Sequence, residues 1–585
     1  MDNSYYSIER NAQIVVSLLK AKGIKKVVAS PGTTNIAIVG SMMHDKYFEM
    51  YSAPDERSAA YIACGLSSES GEPVVLTCTG ATASRNYFPG LTEAYYRKLP
   101  VIAITSTLNL ARSGHLQAQF CDRTIQPVDL VKYSVQIPVV ENDEDEWECN
   151  VKVNSALLEC KRHGGGPVHI NLTTHCELYN FSVKDIKPVR NIERYGIKET
   201  LPTIKGKKVA IFIGAHKTFD KKTTKSIECF CASNNAVVFC DNTSGYHGKY
   251  RVCYALVAAQ TIVDHNMSMD ILIHIGEVSG DYYTTGKLNP KEVWRVNPDG
   301  EIRDYFRRLS KVFEMDESEF FDYYSDSVDI LCDYYNSCES LLTKVRSSMG
   351  EFPFSNIWAA QQIAPNLPHG SYVHLGILNS LRSWNFFDLP NDVFSSCNVG
   401  GFGIDGILST LIGAALVNKD RLHFCFVGDL AFFYDINSLG NRHVPKNLRI
   451  LLINNGKGTE FRNHTHPGSK FGDDADLFIA AGGHYGNKSK NLVKHYSEDL
   501  GFKYLSASNK EEFIANMNVF ISDDWKESSI IMEMFVTNEQ EDEALKIVLE
   551  TLKDGKLMIE SKVKSVVRDV AGDKFVNALK SFVRK

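Results

Sequence analysis

Two apolar runs that stop at polar pairs, Gly428-Asp429 and Asn454-Asn455, constrain this chain more than any other feature. Residues 423–427 lead into the first pair and residues 449–453 into the second, with helix-compatible sequence between them. Such runs suit strands buried on both faces of a parallel sheet, and a helical crossover makes both strands end on one edge. Open α/β sheets collect their ligands at that carboxyl edge. A carboxylate and an amide oxygen meeting there fit a hard divalent cation, and the cation fits a diphosphate.

The rest of the chain agrees with an α/β class. At 585 residues it exceeds one ordinary core, so two to four domains are expected. Residues 25–30, 73–78 and 101–107 read as buried strands, with helices at 59–66 and 87–96. Residues 180–205 turn polar and proline-punctuated and read as a linker. A second α/β unit follows from 208, with strands at 208–213, 236–240, 271–275 and 293–296. It carries neither GxGxxG nor a P-loop, so a bracing role is expected of it. The acidic, aromatic stretch near 315–335 reads as an exposed helix. A third unit opens near 352, with strands at 372–375, 393–396 and 529–535 beside the two central ones. The stretch from 541 to 585 reads as a helical extension with a packing role.

A net charge of −6 gives no case for nucleic acid or an anionic membrane, and no apolar run is long enough to span a bilayer. The first residues do not read as a signal peptide. The 14 cysteines are scattered without paired ligand knuckles. They read as reduced thiols of a cytoplasmic protein.

Three further segments carry chemistry. Asp55-Glu56-Arg57 opens a helix, where capping and the helix dipole favour acidic residues in any case. Ser30-Pro31-Gly32-Thr33 and Thr79-Gly80-Ala81 each join a strand to a helix, placing small residues and backbone N–H groups where a ligand can approach. In order and spacing, these segments and the paired strand ends resemble the acetolactate synthase and pyruvate decarboxylase type of thiamine-diphosphate enzyme, over nearly the whole chain. Gly403-Ile404-Asp405-Gly406, Gly428-Asp429-Leu430 and Tyr434-Asp435 resemble the branch that contains the synthase of menaquinone biosynthesis.

That resemblance implies three doubly wound parallel-sheet domains: pyrimidine-binding (1–182), central (203–340) and diphosphate-binding (352–540), followed by the helical extension (541–585). It implies thiamine diphosphate and Mg²⁺ as cofactors. Asp429, Asn455 and the Lys457 carbonyl would hold the metal. Thr33, Gly80, Asn379, Ser380, Gly401, Gly428, Leu430 and Ala431 would contact the cofactor, and Ile404 would lie beneath its bend. Glu56 would meet N1′ of the aminopyrimidine and drive loss of the thiazolium C2 proton. Gln119, His464 and Glu460 are the candidate substrate-facing or proton-carrying residues. His464 and His466 could suggest a metal, but without a third ligand substrate contact is the better reading.

The implied reaction is carbon–carbon bond cleavage or formation on a 2-oxo acid donor, with decarboxylation and transfer to an aldehyde, ketone or sugar-like acceptor. The implied assembly is a homodimer or homotetramer with sites at subunit interfaces. Two alternatives stand beside it: the menaquinone-pathway reaction of 2-oxoglutarate with isochorismate, and a catalytically silent scaffold. A flavin or nicotinamide oxidoreductase is weaker, for want of a dinucleotide fingerprint. Thr34, Trp384 and Val399 stand where the menaquinone branch carries arginines, and Arg382, Arg85 and Arg462 are the nearest substitutes. Trp384 and Val399 are expected to narrow and dry the pocket. A neutral acceptor is therefore expected, because a bidentate carboxylate clamp is not replaced by such residues.

Overall fold

The computed structural model describes residues 5–175, 180–260, 267–325, 332–523 and 527–552. It contains three sheets whose described strand pairings are all parallel, with helices between the strands. The first sheet is built from β1 (Lys26–Ala29), β2 (Glu49–Ser52), β3 (Val74–Thr79), β4 (Val101–Thr107), β5 (Tyr133–Ile137) and β6 (Val168–Thr173), in the order β2-β1-β3-β4-β6-β5. The central strands are β7 (Glu193–Gly196), β8 (Val209–Ile213), β9 (Val237–Cys240), β10 (Arg251–Cys253), β11 (Ser268–Ile275), β12 (Asn289–Val296) and β13 (Leu309–Glu314). The third sheet has β14 (Tyr372–Leu375), β15 (Phe394–Cys397), β16 (His423–Gly428), β17 (Leu448–Asn454), β18 (Lys503–Ala507) and β19 (Ile530–Phe535), in the order β15-β14-β16-β17-β19-β18. Counted from their own first strands, the first and third sheets share one order.

The chain divides into two compact units, Met1–Thr200 with Val293–Glu314 and Leu201–Glu292 with Met315–Lys585. In the first unit, apolar side chains cover both faces of the sheet. Val75 packs into the cluster that holds Ile14, Val15 and Leu18 of helix Arg10–Ala21, while Val74 and Leu76 join Ala59, Ala60 and Ala63 of helix Glu56–Ser70. A strand buried on both sides reads as an unbroken apolar run for that reason. In the second unit, Cys425 and Val427 of β16 and Ile450 and Leu452 of β17 share a cluster with Leu411 and Phe432.

Two expectations change. Residues 180–205 contain β7, which pairs with β13, so the stretch is not simply a linker. Its Glu-Arg-Tyr-Gly sequence is polar because the strand sits at a sheet edge with one side open. The stretch near 315 is not an exposed helix either. Phe320 and Phe321 of helix Glu317–Tyr323 are fully buried, and Phe321 meets Phe230 edge-on at 5.1 Å between ring centroids. Within 541–585, helix Asn538–Glu550 enters from before the expected boundary, and residues 553–585 lie outside the described set.

Candidate functional site

The paired strand ends meet as the sequence requires. Gly428 of β16 lies opposite Ile453 of β17, which brings Asp429 beside Asn454 and Asn455 at the carboxyl edge. Asp429 opens helix Asp429–Tyr434 and is almost fully buried. Its Oδ2 accepts from the backbone N–H of Asn455 (3.1 Å) and Gly456 (2.5 Å), and its Oδ1 from Leu430 N–H (2.7 Å). Burial pushes the Asp429 carboxyl up to about 6, against the lowering effect of those N–H groups. A divalent cation would reverse that shift.

The two asparagines divide their work. Asn454 turns into the sheet and donates to Glu533 Oε1 (2.6 Å), a buried carboxyl that also accepts from Tyr504 (2.7 Å). Asn455 is left for the edge, its Oδ1 accepting from Lys457 N–H at 3.4 Å. The Lys457 carbonyl accepts from Thr459 N–H (3.0 Å), and the Lys457 ammonium pairs with Asp476. A Cβ added at Gly400, Gly401 or Gly428 would meet no atom within 4 Å, so the edge has room above it. Among the described residues no three His, Cys, Asp or Glu side chains form a metal cluster. A site sharing one carboxylate, one amide and one carbonyl with phosphate and water oxygens fits that donor set. Diphosphate and Mg²⁺ therefore suit these residues.

Around the edge, Ile404 is half-buried against the third-sheet core, Leu430 is half-buried and Ala431 is buried. Asn379 and Ser380 open helix Asn379–Trp384 directly after Leu378, whose φ of +62° is unusual for a side-chain-bearing residue. Phe402, in the glycine-rich loop, has φ +55°. Strain of this kind clusters where a loop is held in one shape for a ligand.

Arg382 forks onto Glu460, donating to Oε1 (3.0 Å) and Oε2 (2.8 Å), and also reaches Asn379. His464 contacts Asp542 through its backbone N–H (2.8 Å) and Nδ1 (2.6 Å). His466 accepts from Gly468 N–H (2.9 Å) and caps a turn. Arg462 is engaged by Asp473 and Asp476. Trp384 differs from expectation: it is fully buried, stacks on Phe426 (centroids 3.4 Å, planes 5° apart) and donates to Asn356 Oδ1 (3.2 Å). It fills the core beneath the helix and does not narrow a pocket, because β16 offers it an aromatic face.

The central strands also reach this edge, which the sequence did not reveal. A Cβ on Gly280 would lie 2.2 Å from Leu381 Cδ2, Tyr282 packs edge-on to Phe402 (5.6 Å), and Arg382 and Glu460 both act electrostatically on Tyr283. The signal was a Ser-Gly-Asp-Tyr-Tyr turn following a strand, with no recognised motif in it.

In the first unit, Ser30-Pro31-Gly32, Gly80 and Ser106 lie at the carboxyl ends of β1, β3 and β4. A Cβ on Gly32 would fall 1.9 Å from Thr79 Cγ2, so only glycine allows that approach. Glu56 is half-exposed in the first turn of its helix, and Asn86 donates to its Oε2 at 3.4 Å. Asp55, not Glu56, caps the helix by accepting from Arg57 N–H (3.0 Å). Thr33 is exposed, and Gln119 is exposed in a loop with φ +69°. Buried polar atoms without a partner gather at this edge: Ser30 Oγ, Asn35 Oδ1, Tyr87 Oη, Ser106 Oγ and Arg123 Nε. Polar atoms buried this way call for a ligand or water, which suits the polar edge of a pyrimidine.

Among the described residues no helix is long and apolar enough to cross a membrane. Residues 10–126 match the family described as thiamine pyrophosphate enzyme, N-terminal TPP binding domain. The 2-succinyl-5-enolpyruvyl-6-hydroxy-3-cyclohexene-1-carboxylate synthase of Bacteroides thetaiotaomicron is 32% identical over 574 residues, covering 94% of this chain and all of that protein. The same-named protein of Phocaeicola vulgatus is 32% identical over 575 residues (94% and 99%), and that of Flavobacterium psychrophilum 27% over 565 residues (91% and 96%). With two strand-end sites suited to the two halves of one cofactor and likeness along the full length, this chain belongs to the 2-succinyl-5-enolpyruvyl-6-hydroxy-3-cyclohexene-1-carboxylate synthase family of thiamine-diphosphate enzymes.

Proposed function

We propose that this chain decarboxylates a small 2-oxo acid and joins the remaining acyl unit to a neutral carbonyl acceptor with an apolar body. The observation that carries this reading is a cavity of about 520 Å³ beside the Ser30-Pro31-Gly32 turn. Ile36, Val39, Met43 and Phe181 line it together with the polar Ser30, Asn35 and His44, and among the described residues no lysine or arginine lines it. A multiply anionic acceptor would find no lysine or arginine there to pair its carboxylates, and a carboxylate taken out of water without such a partner is costly. The substitute arginines of the second unit do not supply them, since Arg382 is committed to Glu460 and Arg462 to Asp473 and Asp476.

Thiamine diphosphate, when bound, supplies the nucleophilic carbon and the electron sink for decarboxylation. Asp429, Asn455 and the Lys457 carbonyl hold Mg²⁺ and through it the diphosphate, with Gly401, Gly428, Leu430, Ala431, Asn379 and Ser380 around it. Ile404 supports the bend. Thr33, Gly80 and Glu56 serve the pyrimidine, Glu56 taking the proton role at N1′. Gln119 faces substrate. The fork on Glu460 and the pairing of His464 with Asp542 favour orienting roles for both over free acid or base action. Glu56 and Asp429 of one chain serve different sites in a homodimer or homotetramer. Tyr61 and Ile62 on the Glu56 helix and Leu477 and Phe478 beyond the Asn455 turn are exposed, as an unpaired interface would be.

The second reading is the relatives' reaction, with 2-oxoglutarate and isochorismate, and likeness along the full length favours it. Carbon dioxide release and product formation separate the two. Pyruvate with an aromatic aldehyde is expected to turn over, and 2-oxoglutarate with isochorismate is not. Robust turnover of the latter pair alone overturns the proposal.

A further inference from the structure

Arg123 is a buried cation whose charge the proposed site does not use. It is 2% exposed and, among the described residues, forms no ion pair with a carboxylate. Its Nη2 donates to Asn171 Oδ1 (2.5 Å) and its Nη1 to the Cys121 carbonyl (3.5 Å), while Nε has no acceptor. Asn171 is itself fixed by Thr105 Oγ1 (3.2 Å) and by Gln136, so the guanidinium stands on a rigid polar floor across β4, β5 and β6. Directly above it lies Gly80: a Cβ there would come within 2.4 Å of Nη1. Arg85, one turn into the helix that starts after Gly80, stacks on Phe88 and donates to the Asp122 carbonyl at 2.8 Å. Arg85 therefore ties residue 122 to the helix that follows Gly80, while Arg123 joins residue 121 to the Asn171 floor and packs against Gly80 itself. The loop so anchored holds Leu116 and Gln119 at positive φ, +58° and +69°, a shape that needs outside support.

We infer that Arg123 is a positioning residue that locks the Gly80 turn to the 113–122 loop, so that the pyrimidine-contacting glycine and the substrate-facing Gln119 are set by one side chain. The inference rests on the proposed roles of Gly80 and Gln119. A side chain needed only to fill space would be better apolar, because an unpaired buried charge costs stability that a hydrophobic isostere does not. The guanidinium supplies what such an isostere lacks: planar donors that reach both the floor and the loop at fixed angles.

The test uses the full-length protein with Arg123→Met, which keeps the stem and removes the charge, and Arg123→Lys, which keeps the charge and removes the fork. Chymotryptic cleavage between residues 113 and 122 without cofactor reads the lock directly. Both variants are expected to be cut about tenfold faster or more, by loss of a charged hydrogen bond. The cofactor-free thermal midpoint of Arg123→Met is expected to stay level or rise. KM for the donor and the dissociation constant for thiamine diphosphate should rise about tenfold in both variants, with kcat at saturation changing far less. Unchanged cleavage overturns the lock. A fall in midpoint that accompanies every other loss, with rescue by lysine, shows a merely structural cation and also overturns it. Failure of the unaltered protein to bind thiamine diphosphate refutes the underlying site reading, while the cleavage result still decides the lock.

Discussion

At the scale of single residues, the site is decided by who is already paired. Asn454 is spent on Glu533, so Asn455 is left at the edge beside Asp429. Glu541 is a further case. It is buried, its Oε1 accepts from Asn356 N–H (2.8 Å), and burial holds its carboxyl up at about 7 although Arg382 pulls the other way. The folded chain thus keeps a proton that the unfolded chain releases above roughly pH 4.3. Stability from this group is complete below that value and is lost as pH rises towards 7. Glu541→Gln keeps the acceptor and removes the titration. By calorimetry it should leave the melting midpoint unchanged near pH 5 and raise it by about 3 °C near pH 8. An equal shift at both pH values contradicts the assignment. The placing of Asp429 and Asn455 at strand ends and of Gly80 in a turn was legible because such positions announce themselves locally, whereas Glu56 read locally as a helix-capping residue and stood out only through the family resemblance. The Arg382–Glu460 fork and the Asp542 clasp on His464 were not, since each joins residues 78 positions apart and no local pattern encodes such a contact.

At the scale of elements, burial governed much of what could be read. Interior strands such as β3, β4, β16 and β17 are apolar on both faces and stood out. The edge strands β5, β7, β10 and β18 did not, because an edge needs only one covered side and takes charged or polar residues on the other, although the edge strand β15 was read and the interior strands β6 and β13 were missed. Helix Asn379–Trp384 shows the opposite error. Its tryptophan, expected to line a pocket, is the anchor that seats the helix on Phe426. Trp384→Ala should therefore cost about 3–5 kcal/mol in urea unfolding of the second unit, as large core deletions do. Trp384→Phe should cost much less and leave donor KM within about twofold, since a phenyl ring still stacks. A stability-neutral Trp384→Ala with a strongly altered KM would restore the pocket-lining role.

At the scale of the whole molecule, the first and third sheets share one strand order, and the carboxyl edge of each is proposed to serve one half of the cofactor. One edge is rich in unpartnered polar atoms and the other is built around a buried carboxylate. That division matches a cofactor with a heteroaromatic end and a diphosphate end. Fold class and sheet number were legible from periodicity, and the shared order supports an old duplication. The approach of the 280–283 turn to Leu381, Phe402 and Arg382 was illegible, because bracing and site-lining turns look alike in sequence. The most direct test is calorimetric titration of thiamine diphosphate into the protein with Mg²⁺, with a chelator, and into Asp429→Ala with Mg²⁺. The expected result is one cofactor bound per chain in the first case and no measurable binding in the other two. Unchanged affinity in Asp429→Ala would contradict the assignment of the diphosphate and its metal to these strand ends.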